Sequence, residues 1–205
     1  MVRWYKRLAD VPGVNFEGSP DVDRSRLPWI DRTPELHSFE FEGRIIESLH
    51  WSMPQGFSTA SPASQWTAEP REGESPSETI LRRLREALEL PGETGDYHFA
   101  IQGCAEMLWK NRREEPWVVQ EVERLCWLDI RLIEAHPKTI SFEREGKQSY
   151  YQVLSFDRLL YLYKREGYLY EAMDVAKRAV KFDQQEAALG ELQERIAALE
   201  SEDGE

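Results

Sequence analysis

Leu154–Phe182, LSFDRLLYLYKREGYLYEAMDVAKRAVKF, is the stretch whose reading decides the fold of this 205-residue chain. Phe156, Leu159 and Tyr163 fall at three- and four-residue steps, the spacing that lines one face of a helix. Ala172, Ala176 and Ala179 repeat that spacing in a second helix, with small side chains that let the two approach closely. Gly167 stands between them, where a left-handed residue ends the first helix and lets the chain reverse.

This order of residues resembles one tetratricopeptide (TPR) repeat. Phe156, Leu159, Tyr163 and Ala172 stand where the repeat has its aromatic, Leu, Tyr and Ala. Leu160 replaces the small Gly, Ala176 the large aromatic and Gln184 the terminal Pro, so the match spans about thirty residues. The resemblance implies a right-handed helical array in which the first helix of each pair lines a concave groove. Asp157, Arg158, Tyr161, Lys164 and Arg165 are then the groove residues. Three of these five are basic, which suits an extended acidic segment or a C-terminal carboxylate, because Arg can offer it two parallel hydrogen bonds. The alternatives are a solvated helix face with Tyr161 in the core, or a groove filled by the N-terminal part of this chain.

Upstream, residues 1–75 have a different texture. Eight of the eleven prolines lie in residues 1–76, and no long helical period runs through them. Trp4, Tyr5, Phe16, Trp29, Phe39, Phe41, Trp51, Phe57 and Trp66 are spread along it, which is not the composition of a disordered tail. The expectation is an irregular arm packed on a helical body, with Gln55–Ser75 as a mobile linker. Within the arm, Ser38–Glu42 alternates like a strand and Glu42-Gly43 can turn it. Ile45, Ile46, Leu49 and Met53 step like a helix face, so a short helix or a second strand follows.

From Ser75 the signals sharpen. Ser75-Pro76-Ser77-Glu78 is a capping box with Pro at the first helical position, opening a helix through Ile80, Leu81, Leu84 and Leu88. A second helix runs from about Asp96 to Arg113, and a third from Pro116 to His136 with an apolar arc wide enough to be covered on two sides. Glu145-Gly146, between Ile140/Phe142 and Tyr150/Tyr151, predicts a small β-hairpin. A last helix, about Gln184 to Leu199, steps through Leu189, Leu192, Ile196 and Leu199. It is either the cap of the array or a homodimer seam. The helical domain is thus 76–200, and 201–205 an acidic tail.

Composition narrows the function. With 40% hydrophobic and 31% charged residues and a mean hydropathy of −0.64, no apolar run is long enough to cross a bilayer. The first residues carry no apolar leader core, so a cytoplasmic location is expected. A net charge of −12 argues against nucleic acid, although Arg82, Arg83 and Arg85 form a local basic cluster. Cys104 and Cys126 lack zinc or redox spacing and are expected as core thiols, with a disulfide as the alternative.

No catalytic signature is present, and no cofactor or metal is expected. Glu47-Ser48-Leu49-His50 is the nearest thing to a metal motif, but such sites need it twice. The expected fold is mainly α, a TPR-like right-handed array of about six helices with an aromatic arm and one β-hairpin. The expected function is a protein-interaction or scaffold module binding a protein partner. Two alternatives stay open: a small enzyme or ligand-binding protein with a pocket at Trp29, Trp51 and His50, and a structural protein self-assembling through its last helix.

Overall fold

The computed structural model describes residues 7–54 and 56–202. Trp4 and Tyr5 of the expected arm, Gln55 of the expected linker and residues 203–205 of the tail lie outside the described residues. The chain is mainly helical, with 53% of it in helix; seven α-helices and two small antiparallel sheets are present among the described residues. It divides into two compact units that meet at Val122 and Glu123, inside one helix. Among the described residues no helix is long and apolar enough to cross a membrane.

The first unit opens with short 3-10 turns at Leu8–Asp10 and Arg24–Arg26, then three strands: β1 (Pro34–Phe41), β2 (Arg44–Met53) and β3 (Gly56–Ser58), in that order. Glu42 and Gly43, at φ 50° and 74°, make the two-residue turn between β1 and β2, a conformation that needs positive φ twice. The helix-like steps at Leu49 and Met53 resolve as a strand. A spacing of four suits both periods, but Trp51 between them is also buried, and only a two-residue period puts all three on one face.

Helices α1 (Pro62–Gln65), α2 (Pro76–Ala87) and α3 (Thr94–Asn111) follow, and α4 (Val118–Ala135) begins. The capping box forms as expected: Ser75 N donates to Glu78 Oε2 at 2.7 Å and Glu78 N to Ser75 Oγ at 3.2 Å. Helices α2 and α3 pack as a hairpin that buries Leu81, Leu84, Tyr97, Ile101 and Leu108. The expected mobile linker is instead fastened to α2. Trp66 Nε1 donates to Glu86 Oε2 at 3.0 Å, Arg82 Nη2 to the carbonyl of Glu69 at 2.7 Å, and Arg83 Nε to the carbonyl of Ala68.

The earliest described segment is held by a buried carboxylate. Glu89, fully buried, accepts from Arg24 Nε at 2.7 Å and Nη2 at 2.9 Å, from Ser19 N at 2.8 Å and from Arg7 Nη1 at 3.3 Å. Burial pushes this carboxyl up, but the hydrogen bonds from Arg24 and the Ser19 amide, with the charges of Arg24 and Arg7, outweigh it and leave it below the ordinary range.

In the second unit α4 runs on to Ala135. It is followed by the hairpin β4 (Ser141–Arg144) and β5 (Lys147–Tyr150), then α5 (Leu154–Glu166), α6 (Leu169–Val180) and α7 (Glu186–Glu202). Gly167, at φ 83°, closes α5, and the Tyr168 amide returns to the Tyr163 carbonyl at 2.9 Å. Phe156, Leu159, Ala172, Ala176 and Ala179 are all fully buried, which is the seam the spacing predicts. Ser155 Oγ donates to the buried Asp129 Oδ2 at 2.6 Å and ties α5 to α4. Tyr163 donates to Glu123 Oε1 at 2.5 Å and accepts from Trp127 Nε1 at 2.8 Å; burial and the Glu123 bond push its hydroxyl up to about 12. Helix α7 packs on α6, with Leu192 and Ile196 buried, Leu189 half-buried and Leu199 exposed. The expected tail is helical as far as Glu202. Cys104 and Cys126 are buried thiols.

Candidate functional site

Helix α5 presents Asp157, Tyr161, Lys164 and Arg165 on one side because they fall three or four residues apart. With Leu160 they line a depression of about 480 Å³, closed on its far side by Gln185, Ala188 and Arg195 at and within α7. Four of the five residues expected in a groove are therefore brought together. Arg158, one residue round the helix from Asp157, does not line it.

The polar groups in the depression are partly engaged by α7. Lys164 Nζ lies 2.6 Å from Glu191 Oε2, and this bond, with the charges of Lys164 and Arg195, holds the Glu191 carboxyl below its ordinary range. Asp157 accepts from Gln152 Nε2 at 2.8 Å and from Gln185 Nε2. Arg165 extends outward, its side chain 62% exposed, with the neighbouring Glu166 at 3.7 Å as its ion-pair partner among the described residues. The Tyr161 ring is half exposed beside it. The depression therefore offers an aromatic surface, an outward guanidinium and a second arginine, Arg195, with Asp157 and Glu191 already bonded.

A larger cleft, about 1400 Å³, lies in the first unit between the 21–27 and 66–74 segments and α2, with Trp117 and Glu121 at the start of α4. Its basic residues are held by its own acids. Arg82 reaches Glu74 at 2.5 Å and Glu86 at 3.2 Å, and Arg85 reaches Asp21 at 2.7 Å. The Arg82 bond, seconded by the Arg71 amide, holds the Glu74 carboxyl down at about 2. Together with Arg83, which donates to a carbonyl, this accounts for the whole basic cluster seen in the sequence.

No family model, curated protein or solved structure matches this chain.

The roles of these residues rest on geometry alone. Of the residues expected to line a pocket, Trp29, Trp51 and His50, none lines the cleft. Trp51 is fully buried, Trp29 meets Trp66 edge-on at 6.0 Å, and His50 stacks on His37 at 4.1 Å, so Trp66 and Trp117 are the tryptophans of the cleft. Glu47 and His50 lie on β2, where an odd spacing sends two side chains to opposite faces, so they cannot share a metal as they would on a helix. Among the described residues no group of three or more His, Cys, Asp or Glu is placed to hold a metal ion. The cleft went unforeseen because its walls come from segments about fifty residues apart in sequence, joined only by the fold.

Proposed function

We propose that this protein is a protein-interaction module that holds an acidic segment of a partner in the groove between α5 and α7. The observation that carries this reading is the convergence of Tyr161, Lys164 and Arg165 with Arg195 around one depression. In a TPR-like arrangement α5 and α7 are successive first helices, α6 is the second helix between them, and the groove lies where partners of such repeats lie. The left-handed Gly167 and the alanine seam of α6 support that assignment. So does the burial of Leu192 and Ile196, which suits a capping helix rather than a seam between copies. A carboxylate entering the groove meets the outward guanidinium of Arg165, and the Tyr161 ring supplies apolar contact beside it.

A fluorescent decapeptide of alternating Asp and Leu with a free C-terminal carboxylate serves as the probe. Its affinity for the full chain is expected to fall about tenfold or more in Arg165→Glu and in Arg195→Glu, with the thermal transition unmoved. An undiminished affinity in both variants would falsify the groove assignment.

A further inference from the structure

The outer part of the β1–β2 hairpin is uncovered, and one of its faces gathers aromatic rings. Side chains directly opposite in an antiparallel pair share a face. The pairings Phe39↔Ile46 and Ser52↔Phe57, with the two-residue alternation, collect Phe39, Phe41, Ile46 and Phe57 on one side of the sheet. These four are 52%, 57%, 38% and 65% exposed, far from the single scattered apolar residues of an ordinary surface. The stacked pair His37 and His50 fills the space between Phe57 and the outer rings. The opposite face anchors the hairpin through buried Leu49, Trp51 and Met53, and further out it carries Glu40 and Glu47 beside the exposed Leu36 and Ile45.

The edge is open as well as the face. Among the described residues β1 has a strand on one side only, and all of it beyond Pro34 is exposed. Its outward N–H and C=O groups form a row that an incoming strand can pair with. Toward the turn, the side chains beside that row put the rings of Phe39 and Phe41 on one face and Glu40, opposite the exposed Ile45, on the other. A strand laid along β1 with apolar and basic residues alternating extends the apolar face with one set and meets Glu40, with Glu47 a strand behind it, with the other.

We propose that β1 is a docking edge for an extended segment of a protein partner in which apolar and basic residues alternate. The hairpin holds four carboxylates, Glu35, Glu40, Glu42 and Glu47, against one arginine, Arg44. A second copy of this chain brings the same carboxylates and the same net charge of −12 to the edge, so charge selects a different, basic partner. This surface is distinct from the α5/α7 groove and has the opposite charge preference.

The test uses the full chain, isotope-labelled, titrated with a blocked Lys–Val octapeptide and separately with its Glu–Val counterpart. Saturable amide shifts confined to residues 34–41 and their neighbours are expected with Lys–Val, and binding at least about tenfold weaker with Glu–Val. The double variant Phe39→Ser/Phe41→Ser is expected to lose about tenfold in Lys–Val affinity while keeping its thermal transition, since both rings are exposed. Glu40→Lys reverses the peptide preference; it leaves the apolar face intact and decides the matter alone should the serine variant fail to fold. Equal response to both peptides, shifts centred elsewhere, or undiminished binding in the double variant overturns the proposal. A dimer in light scattering that the double variant abolishes also overturns it, by giving the face to a second copy.

Discussion

The two β-hairpins of this chain turn on the same dipeptide and end up covered to different degrees. Glu42-Gly43 lies at φ 50° and 74°, and Glu145-Gly146 at 53° and 75°, so both reverse through the same two-residue turn. Around the second, Phe142 and Tyr150 are half-buried: Tyr150 meets the buried Phe182 edge-on at 5.4 Å, and Phe142 packs at 4.6 Å on Tyr151, which itself stays exposed. Around the first, Phe39, Phe41, Ile45 and Ile46 are all exposed. Turn chemistry decides where a strand reverses. Whether its faces close depends on what later segments bring to them, and here the chain just past α6 brings Phe182 to β5.

The comparison can be broken most forcefully at its covered end. Phe182→Ala removes a buried ring and is expected to cost about 3–5 kcal/mol, read as a lowered urea midpoint in the transition of the second unit. Trp51→Ala, at the buried base of the first hairpin, is expected to cost as much. If Trp51→Ala proves nearly neutral, the first hairpin is not anchored by that face.

Next in size is the buried carboxylate of the first unit. Arg24→Ala strips Glu89 of its two shortest side-chain bonds and is expected to cost about 3 kcal/mol, the low end for a broken buried pair because Arg7 and Ser19 N remain. The same group sets an acid dependence. Its folded pKa is depressed, so its contribution is full above the unfolded value near 4.5 and is lost as pH falls through the folded one. Denaturant midpoints measured from pH 7 to pH 3 should therefore fall over the acid end in the parent chain and less in Arg24→Ala. Parallel curves would show that the Arg24–Glu89 contact is not the cause.

The smaller effects sharpen the contrast. Gly43→Ala and Gly146→Ala each force a side chain into the left-handed region, where an added Cβ meets nothing within 4 Å, so each is expected to cost about 1–2 kcal/mol and by similar amounts. Phe39→Ala, on the exposed face, is expected to stay within about 0.5 kcal/mol of the parent. A large loss there would mean that the ring is already covered in solution.

Much of this was legible in the sequence where one local rule acted alone. The capping box at Ser75, the left-handed Gly167, the alanine seam of α6 and both Glu-Gly turns are signals within a few residues, and each stands where its chemistry predicts. Leu49 and Met53 misled because a spacing of four satisfies two periods at once. The stretch around Trp66 read as a linker from its Pro and Ser content, while its structure depends on Glu86 and Arg82, which come later in the chain. In the groove, the α5 side followed from helical spacing, but Gln185, Ala188 and Arg195 reach it only through the return of α7.

The central claim is that this chain carries two contact surfaces of opposite preference, an acid-binding groove at α5/α7 and a base-binding edge at β1. Amide shift mapping of one labelled sample, titrated first with the Asp–Leu decapeptide and then with the Lys–Val octapeptide, tests both halves together. The account predicts shifts around residues 157–165 for the acidic peptide and around 34–41 for the basic one, each unaffected by the other. Both peptides perturbing the same residues, or neither perturbing its own, would contradict it.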